Sequence, residues 1–253
     1  PAEEDFRQNI TKEIIENIKR LRSHPCIAIW CGNNEIEVAW KNWGWQEQYG
    51  YTESDSVEIW NNYLSIFHDL IPELVKEFHP GAAYTSTSPL SNWGTAENFN
   101  HGSMHYWGVW HGREPFENFK TNVGRFMVEY GFQSYPDRST LATVMADSSL
   151  SLDSPMMALR QKSYIGNGLI SEHINQYFDA PKNFEEFIDL SQKTQALGMK
   201  MAIEAHMSSQ PHCMGTLFWQ FNDCWPGPSW SVIDYYGNRK DAYEVVKEEF
   251  SRQ

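Results

Sequence analysis

No apolar run in the chain approaches the ~20 residues that a membrane-spanning helix needs. Basic residues are scarce. Lys and Arg number 20 against 33 Asp and Glu, for a formal net charge of −13. A surface of that sign repels phosphate backbones and anionic lipid, so neither nucleic acid nor a membrane is expected as a partner. Cysteine is sparse too. Cys26, Cys31, Cys213 and Cys224 form no C-x-x-C pair, which leaves a zinc-ribbon or thioredoxin-like reading without support. All four fall in or beside apolar strand-like runs and are expected as buried free thiols. Internal repeats, low-complexity segments and Ser/Gly linkers are absent, so residues 1–253 read as a single domain. The chain begins at Pro1 and not at Met. Its natural start is expected upstream, and the lack of a leader excludes nothing.

What the chain does hold is an ordinary globular share of apolar residues and an unusual share of aromatics, 15% with 11 Trp. Phe6, Ile10, Ile14, Ile18 and Leu21 recur at three- and four-residue steps and predict a helix that stops at His24-Pro25. The continuous apolar run Cys26–Cys31 then predicts a strand buried on both faces. The same grammar repeats downstream. Residues 57–78 predict a helix with Pro72 as a candidate kink, and residues 82–87 a short strand. Strands are also expected at 104–110, 125–128 and 214–221, and helices at 184–207 and 241–250. Alternating helix and strand, with polar residues gathered where strands end, is the layout of a parallel α/β sheet or a β/α barrel. In a barrel, chemistry sits at the C-terminal ends of the strands. Five strands are countable, where a (β/α)8 barrel has eight.

Two of those strand ends carry a carboxylate beside a glycine. Glu35 follows Gly32-Asn33-Asn34, and Glu129 precedes Tyr130-Gly131. Cleaving an acetal needs a proton donor for the leaving oxygen and a second carboxylate opposite it. In retaining enzymes that second group attacks carbon, and the two lie ~5–5.5 Å apart. Spacing alone is weak evidence, because barrels commonly carry Glu at strand ends. The aromatics add to it. Trp40, Trp43, Trp45, Trp93, Trp107, Trp110, Trp219, Trp225 and Trp230 lie near strand ends or in loops. Indole faces there suit the C–H faces of pyranose rings, although about half are expected simply to pack under loops.

The segment His24-Pro25-Cys26-Ile27-Ala28-Ile29-Trp30-Cys31-Gly32-Asn33-Asn34-Glu35 resembles the acid/base segment of glycoside hydrolase family 2, in the form its β-mannosidase branch carries. Val128-Glu129-Tyr130-Gly131-Phe132-Gln133-Ser134 resembles the nucleophile segment of that branch. Residues 104–112 and 215–226 resemble two further signatures, and the four occur in the family's order. The resemblance implies an α/β fold, a (β/α)8 TIM barrel of which this chain holds about strands 4 to 8. Strands 1 to 3 and the flanking β-sandwich domains would belong to missing N-terminal parts of the same polypeptide. It implies Glu35 as acid/base on strand 4 and Glu129 as nucleophile on strand 7. Asn34 would bond the sugar 2-hydroxyl, and Trp219 would floor the sugar subsite beside a non-proline cis peptide. Trp43, His105 and Trp107 would be subsite walls. The expected substrate is a β-mannoside oligosaccharide or glycoconjugate, cleaved from the non-reducing end with no cofactor and no metal. Two alternatives are a β-galactosidase- or β-glucuronidase-like specificity and a non-catalytic carbohydrate-binding fragment.

Other polar residues have plainer readings. Glu204, His206, His212 and Cys213 look like a metal cluster on paper, but the first two are two apart and point to different sides of a helix. Glu172-His173 reads as loop polarity, Asp137 as a helix cap, Asp223 and Asp234 as structural loop acids, and Tyr130 as packing. Asn9-Ile10-Thr11 fits a glycosylation sequon inside a helix.

Overall fold

A computed structural model describes residues 3–252. The chain divides into two compact units, residues 1–92 and 93–253.

In the first unit, α1 (Glu4–Leu21) lays Ile10, Ile14, Ile15 and Ile18 against Ile66, Ile71, Leu74 and Val75. Ile10, Ile14 and Ile18 share one helical face, so that part of the predicted stripe packs inward, whereas Phe6 at its start is exposed. β1 (Ile29–Cys31) follows, then α2 (Ile36–Asn42), α3 (Trp45–Gln48) and α4 (Glu53–Leu64). Thr52 and Asp55 start α4 with a reciprocal capping box. The helix expected over 57–78 is interrupted by a π-helical turn, Ser65–Leu70, before α5 (Ile71–Phe78). Pro72 has no N–H to give back along the helix. The turn before it widens, and Ile71 N donates to the Ile66 carbonyl five residues back. β2 (Ala83–Thr85) pairs parallel to β1, with Ile29 opposite Ala83 and Cys31 opposite Thr85.

One expectation fails here. The run Cys26–Cys31 forms a strand only from Ile29, and Ile29 and Cys31 are exposed. Strand alternation turns Trp30 toward the helices, where its Nε1 donates to His79 Nδ1 at 3.0 Å. Ile29 and Cys31 point to the opposite, exposed face. Cys26 and Cys224 are exposed as well, so of the four thiols Cys213 alone is buried.

In the second unit, β3 (Ser103–His105) and β4 (Phe126–Glu129) pair in parallel, with a bulge between Met104 and His105. The strand expected over 104–110 stops at His105, because the chain turns sharply. The Trp107 carbonyl takes N–H groups from both Trp110 and His111. On the other edge of β4, where a strand over 214–221 is expected, residues 214–219 run parallel and meet it in an isolated bridge, Met127 to Thr216, without forming a continuous strand. Met214 N, Leu217 N and Trp219 N donate to the carbonyls of Arg125, Met127 and Tyr130, and Met127 N donates to Gly215. Short helices α6 (Asn118–Thr121), α7 (Arg138–Ala142) and α8 (Pro155–Arg160) lead to α9 (Gly166–Tyr177). The long α10 (Phe184–Ser208) starts at Asn183, whose side chain caps Glu186 N at 2.9 Å, and packs on α11 (Asp241–Ser251). Trp110, Phe116, Phe132 and Tyr130 are fully buried between these layers. Burying each such ring stabilises the unit by about 1.5–3 kcal/mol.

Glu172 and His173 were expected in a loop and lie in α9. His173 is buried, with Nε2 3.1 Å from the Glu114 carbonyl, and burial depresses its basicity. Asp137 does precede α7 at the cap position. Its side chain caps no amide and accepts instead from Gln192 Nε2 at 2.9 Å.

Candidate functional site

The candidate residues fall in both units, and each set is built differently. In the first unit, the β1–β2 ladder continues past the strands. Gly32 N donates to Thr85 O at 2.9 Å, Ser88 N to Asn33 O at 3.0 Å, and Glu35 N to Ser88 O at 2.7 Å. Gly32 is required by close approach, since a Cβ there would lie 2.5 Å from both the Ser86 carbonyl and the Tyr84 hydroxyl. Glu35 itself has φ 63° and ψ 0°, the left-handed region that a non-glycine residue enters at a cost. That conformation reverses the chain from strand into α2, and the Glu35 carbonyl accepts the first helical bond, from Ala39 N at 2.9 Å.

Asn33 ties this turn together, a role no sequence motif announced. Its Nδ2 donates to Ser86 O at 2.7 Å and to the Tyr63 hydroxyl at 3.2 Å. Its Oδ1 accepts from Ile36 N at 3.2 Å and from Thr87 Oγ1 at 2.9 Å. Both amide hydrogens and both carbonyl lone pairs are used. Tyr63 in turn donates to Glu37 Oε2 at 3.2 Å, and Glu37 also pairs with Lys41 and faces His68 Nε2 at 3.6 Å. Burial works against the Glu37 charge, but Lys41, Tyr63 and His68 outweigh it and hold the group below the usual carboxylate range. Asn34, by contrast, is exposed. Trp43 ends α2 and is 44% exposed, with its ring edge-on to Trp45 at 6.2 Å. Trp40 lies back on Trp60 in a stacked pair.

In the second unit, Glu129 is the last residue of β4 and is half-buried. Its Oε2 accepts the Trp107 indole N–H at 3.3 Å and lies 3.2 Å from Nδ1 of the buried His105. The parallel register produces this meeting, because His105 pairs with Glu129 across β3 and β4 and Tyr106 N donates to the Glu129 carbonyl at 2.8 Å. Tyr130 points the other way. It is buried, as packing predicts, with its hydroxyl 2.7 Å from Thr216 Oγ1, and burial raises its phenol above the usual range. Gly131 lets the neighbouring chain in, since a Cβ there would stand 2.1 Å from the Trp219 carbonyl oxygen. Trp219 is 42% exposed, and its peptide bond to Gln220 is cis.

The paper metal cluster is dispersed among separate partners. His206 is buried with Nδ1 2.9 Å from Thr216 Oγ1, and burial lowers its pKa to about 3. His212 Nε2 meets the Val123 carbonyl, Glu204 pairs with Lys200, and the Cys213 thiol donates to Gly215 O. Asp223 and Asp234 are structural as expected. Asp223 pairs with Lys162 at 3.2 Å, and Asp234 gathers the hydroxyl of Thr140 and the amides of Tyr236 and Asn238.

No protein-family model matches the chain. It is 32% identical to β-mannosidase B of Aspergillus fumigatus over 258 residues, which cover 97% of this chain and 30% of the relative. It is 33% identical to β-mannosidase B of Neosartorya fischeri with the same coverage. Among solved structures, a β-D-mannosidase from Dictyoglomus thermophilum superposes with a TM-score of 0.84 at 33% identity, over 99% of this chain and 30% of that one. An exo-chitosanase from Amycolatopsis orientalis superposes with a TM-score of 0.63 at 15% identity, a likeness of fold alone. The chain thus spans about a third of the length of the relatives it matches. Along nearly all of its own length, it is similar to proteins named β-mannosidases, which are glycoside hydrolases.

Proposed function

We propose that the protein is a retaining exo-β-mannosidase of glycoside hydrolase family 2, removing terminal β-D-mannose by double displacement. The observation that carries the reading is the Glu129 carboxylate at the end of a parallel strand, aimed by the Trp107 indole N–H and by His105. A carboxylate fixed through one oxygen can present the other to an electrophilic carbon. In this reading Glu129 attacks the anomeric carbon while Glu35 protonates the leaving oxygen. Glu35 then takes a proton from the water that releases mannose. Asn34 bonds the 2-hydroxyl, Trp219 floors the sugar, and Trp43, His105 and Trp107 wall the subsites. In this reading the parallel strands and the 214–219 segment are strands 4 to 8 of a (β/α)8 barrel.

The test is hydrolysis of aryl β-mannoside, β-galactoside and β-glucuronide, with the first-formed anomer read by NMR. Preference for mannoside and release of β-mannose are expected. Preference for either other sugar overturns the substrate assignment, and release of the α-anomer first overturns the retaining mechanism.

A further inference from the structure

We infer that Asn33 and Tyr63 are positioning residues for the acid/base Glu35, acting through the left-handed turn and not by touching substrate. The inference rests on the acid/base reading of Glu35 and goes beyond it. The turn needs holding. Glu35 occupies a backbone region that costs a non-glycine residue on the order of 1–3 kcal/mol and persists only where surrounding contacts over-determine it. Asn33 supplies that over-determination. One planar amide reaches both sides of the turn at once, bonding the β2 extension through Ser86 O and Thr87 Oγ1 and the start of α2 through Ile36 N. Its fourth bond, to the Tyr63 hydroxyl, fixes the amide to α4. Tyr63 is itself held by the Glu37 carboxylate. The chain of contacts from Lys41 and His68 through Glu37, Tyr63 and Asn33 thus ends at the residue two before the carboxyl that must donate a proton.

Position matters for this group more than for a bulk structural one. A general acid contributes about 10²–10⁴ in rate only if it reaches the leaving oxygen, and a 1 Å displacement can cost about 10². The demand falls only on leaving groups that need protonation. A dinitrophenolate leaves without it, whereas a sugar or a phenol of high pKa does not. A misplaced acid therefore has a signature that general loss of folding lacks.

The experiment measures kcat/KM, which reports the glycosylation step alone, on 2,4-dinitrophenyl β-mannoside and on phenyl β-mannoside. The variants are Asn33→Ala, Asn33→Asp, Tyr63→Phe and, as reference, Glu35→Ala. Asn33→Asp keeps the two accepting contacts and removes the two amide donors. For Asn33→Ala, the phenyl substrate is expected to lose about 10- to 100-fold and the dinitrophenyl substrate less than about 3-fold. Asn33→Asp and Tyr63→Phe should show the same split in smaller measure, and either suffices if Asn33→Ala does not fold. Equal losses on both substrates, or no loss on either, overturn the inference. If Glu35→Ala itself lacks the split, the acid/base assignment fails instead.

Discussion

The indole N–H of Trp107 and the Oε2 of Glu129 are joined at 3.3 Å, although 22 residues separate them in sequence. The bond links the turn after β3 to the tip of β4. Trp107 also packs edge-on against Trp230 at 6.1 Å, so the donor is fixed by its ring. Trp107→Phe keeps most of the ring and removes the hydrogen. A hydrogen bond to a charged group contributes about 1.5–3 kcal/mol, so kcat/KM on an aryl β-mannoside should fall about 10-fold or more. An unchanged kcat/KM would show that the carboxylate is aimed without this bond.

The two glutamates are distinguished by chemical rescue. Glu129→Ala should abolish turnover, and azide should restore it on an activated substrate only with inversion, giving the α-glycosyl azide. Glu35→Ala should be rescued with retention, because azide then attacks the glycosyl-enzyme that Glu129 has formed. A retained product from Glu129→Ala reverses the two assignments.

Lys240 is buried between two backbone carbonyls, its Nζ 3.2 Å from Ser134 O and 3.3 Å from Ser229 O. Burial lowers its pKa to about 7, an effect that Asp223 opposes and does not overcome. In the unfolded chain the group titrates near 10.4. Between those values the unfolded state binds the extra proton, so stability rises with pH from about 7 to about 10. The slope is at most about 1.4 kcal/mol per pH unit. Urea unfolding of wild type and Lys240→Met across that range should differ in slope, with the variant flatter. Parallel slopes would mean that Lys240 stays charged in the fold.

Gly131→Ala would drive a methyl group into the Trp219 carbonyl oxygen. Overpacking of this kind costs about 1–3 kcal/mol, and the chain at Trp219 must move to relieve it. Thermal unfolding should drop by several degrees, and KM for aryl β-mannoside should rise as the indole is displaced. A variant as stable as wild type with unchanged KM would contradict the contact.

Cysteine reactivity should follow exposure. An aromatic disulfide reagent is expected to titrate Cys26, Cys31 and Cys224 in the native chain and Cys213 only after denaturation. One native thiol reacting instead of three would mean that Cys26–Cys31 is covered after all.

The parts of this protein legible in its sequence are those with a period or a motif. The α1 stripe at Ile10, Ile14 and Ile18, the long α10 and the glutamates at strand tips all follow from local pattern. The exposure of Cys31 does not follow from pattern, because an apolar run says nothing about which layers flank it. Nor does local pattern separate Asn33 from Asn34. The two amides are indistinguishable until the left-handed turn at Glu35 sends one inward and leaves the other exposed. Polar residues of α10 were equally silent. Ser191, Gln192 and Gln195 are buried and bond the backbone of residues 132–135, which no strand partner satisfies in full. Those contacts join positions about 60 residues apart and leave no trace in local composition.

The ladder at Ser88 has a consequence for how the protein matures. The Glu35 amide and the Asn33 carbonyl are each completed by Ser88, 53 and 55 residues downstream. Closing so long a loop is entropically slow, and the reward comes only when both ends meet. Two backbone bonds of the turn that bears Glu35 can form only once residue 88 has docked, so completion of the turn is tied to the pairing of the second strand and not to β1 alone.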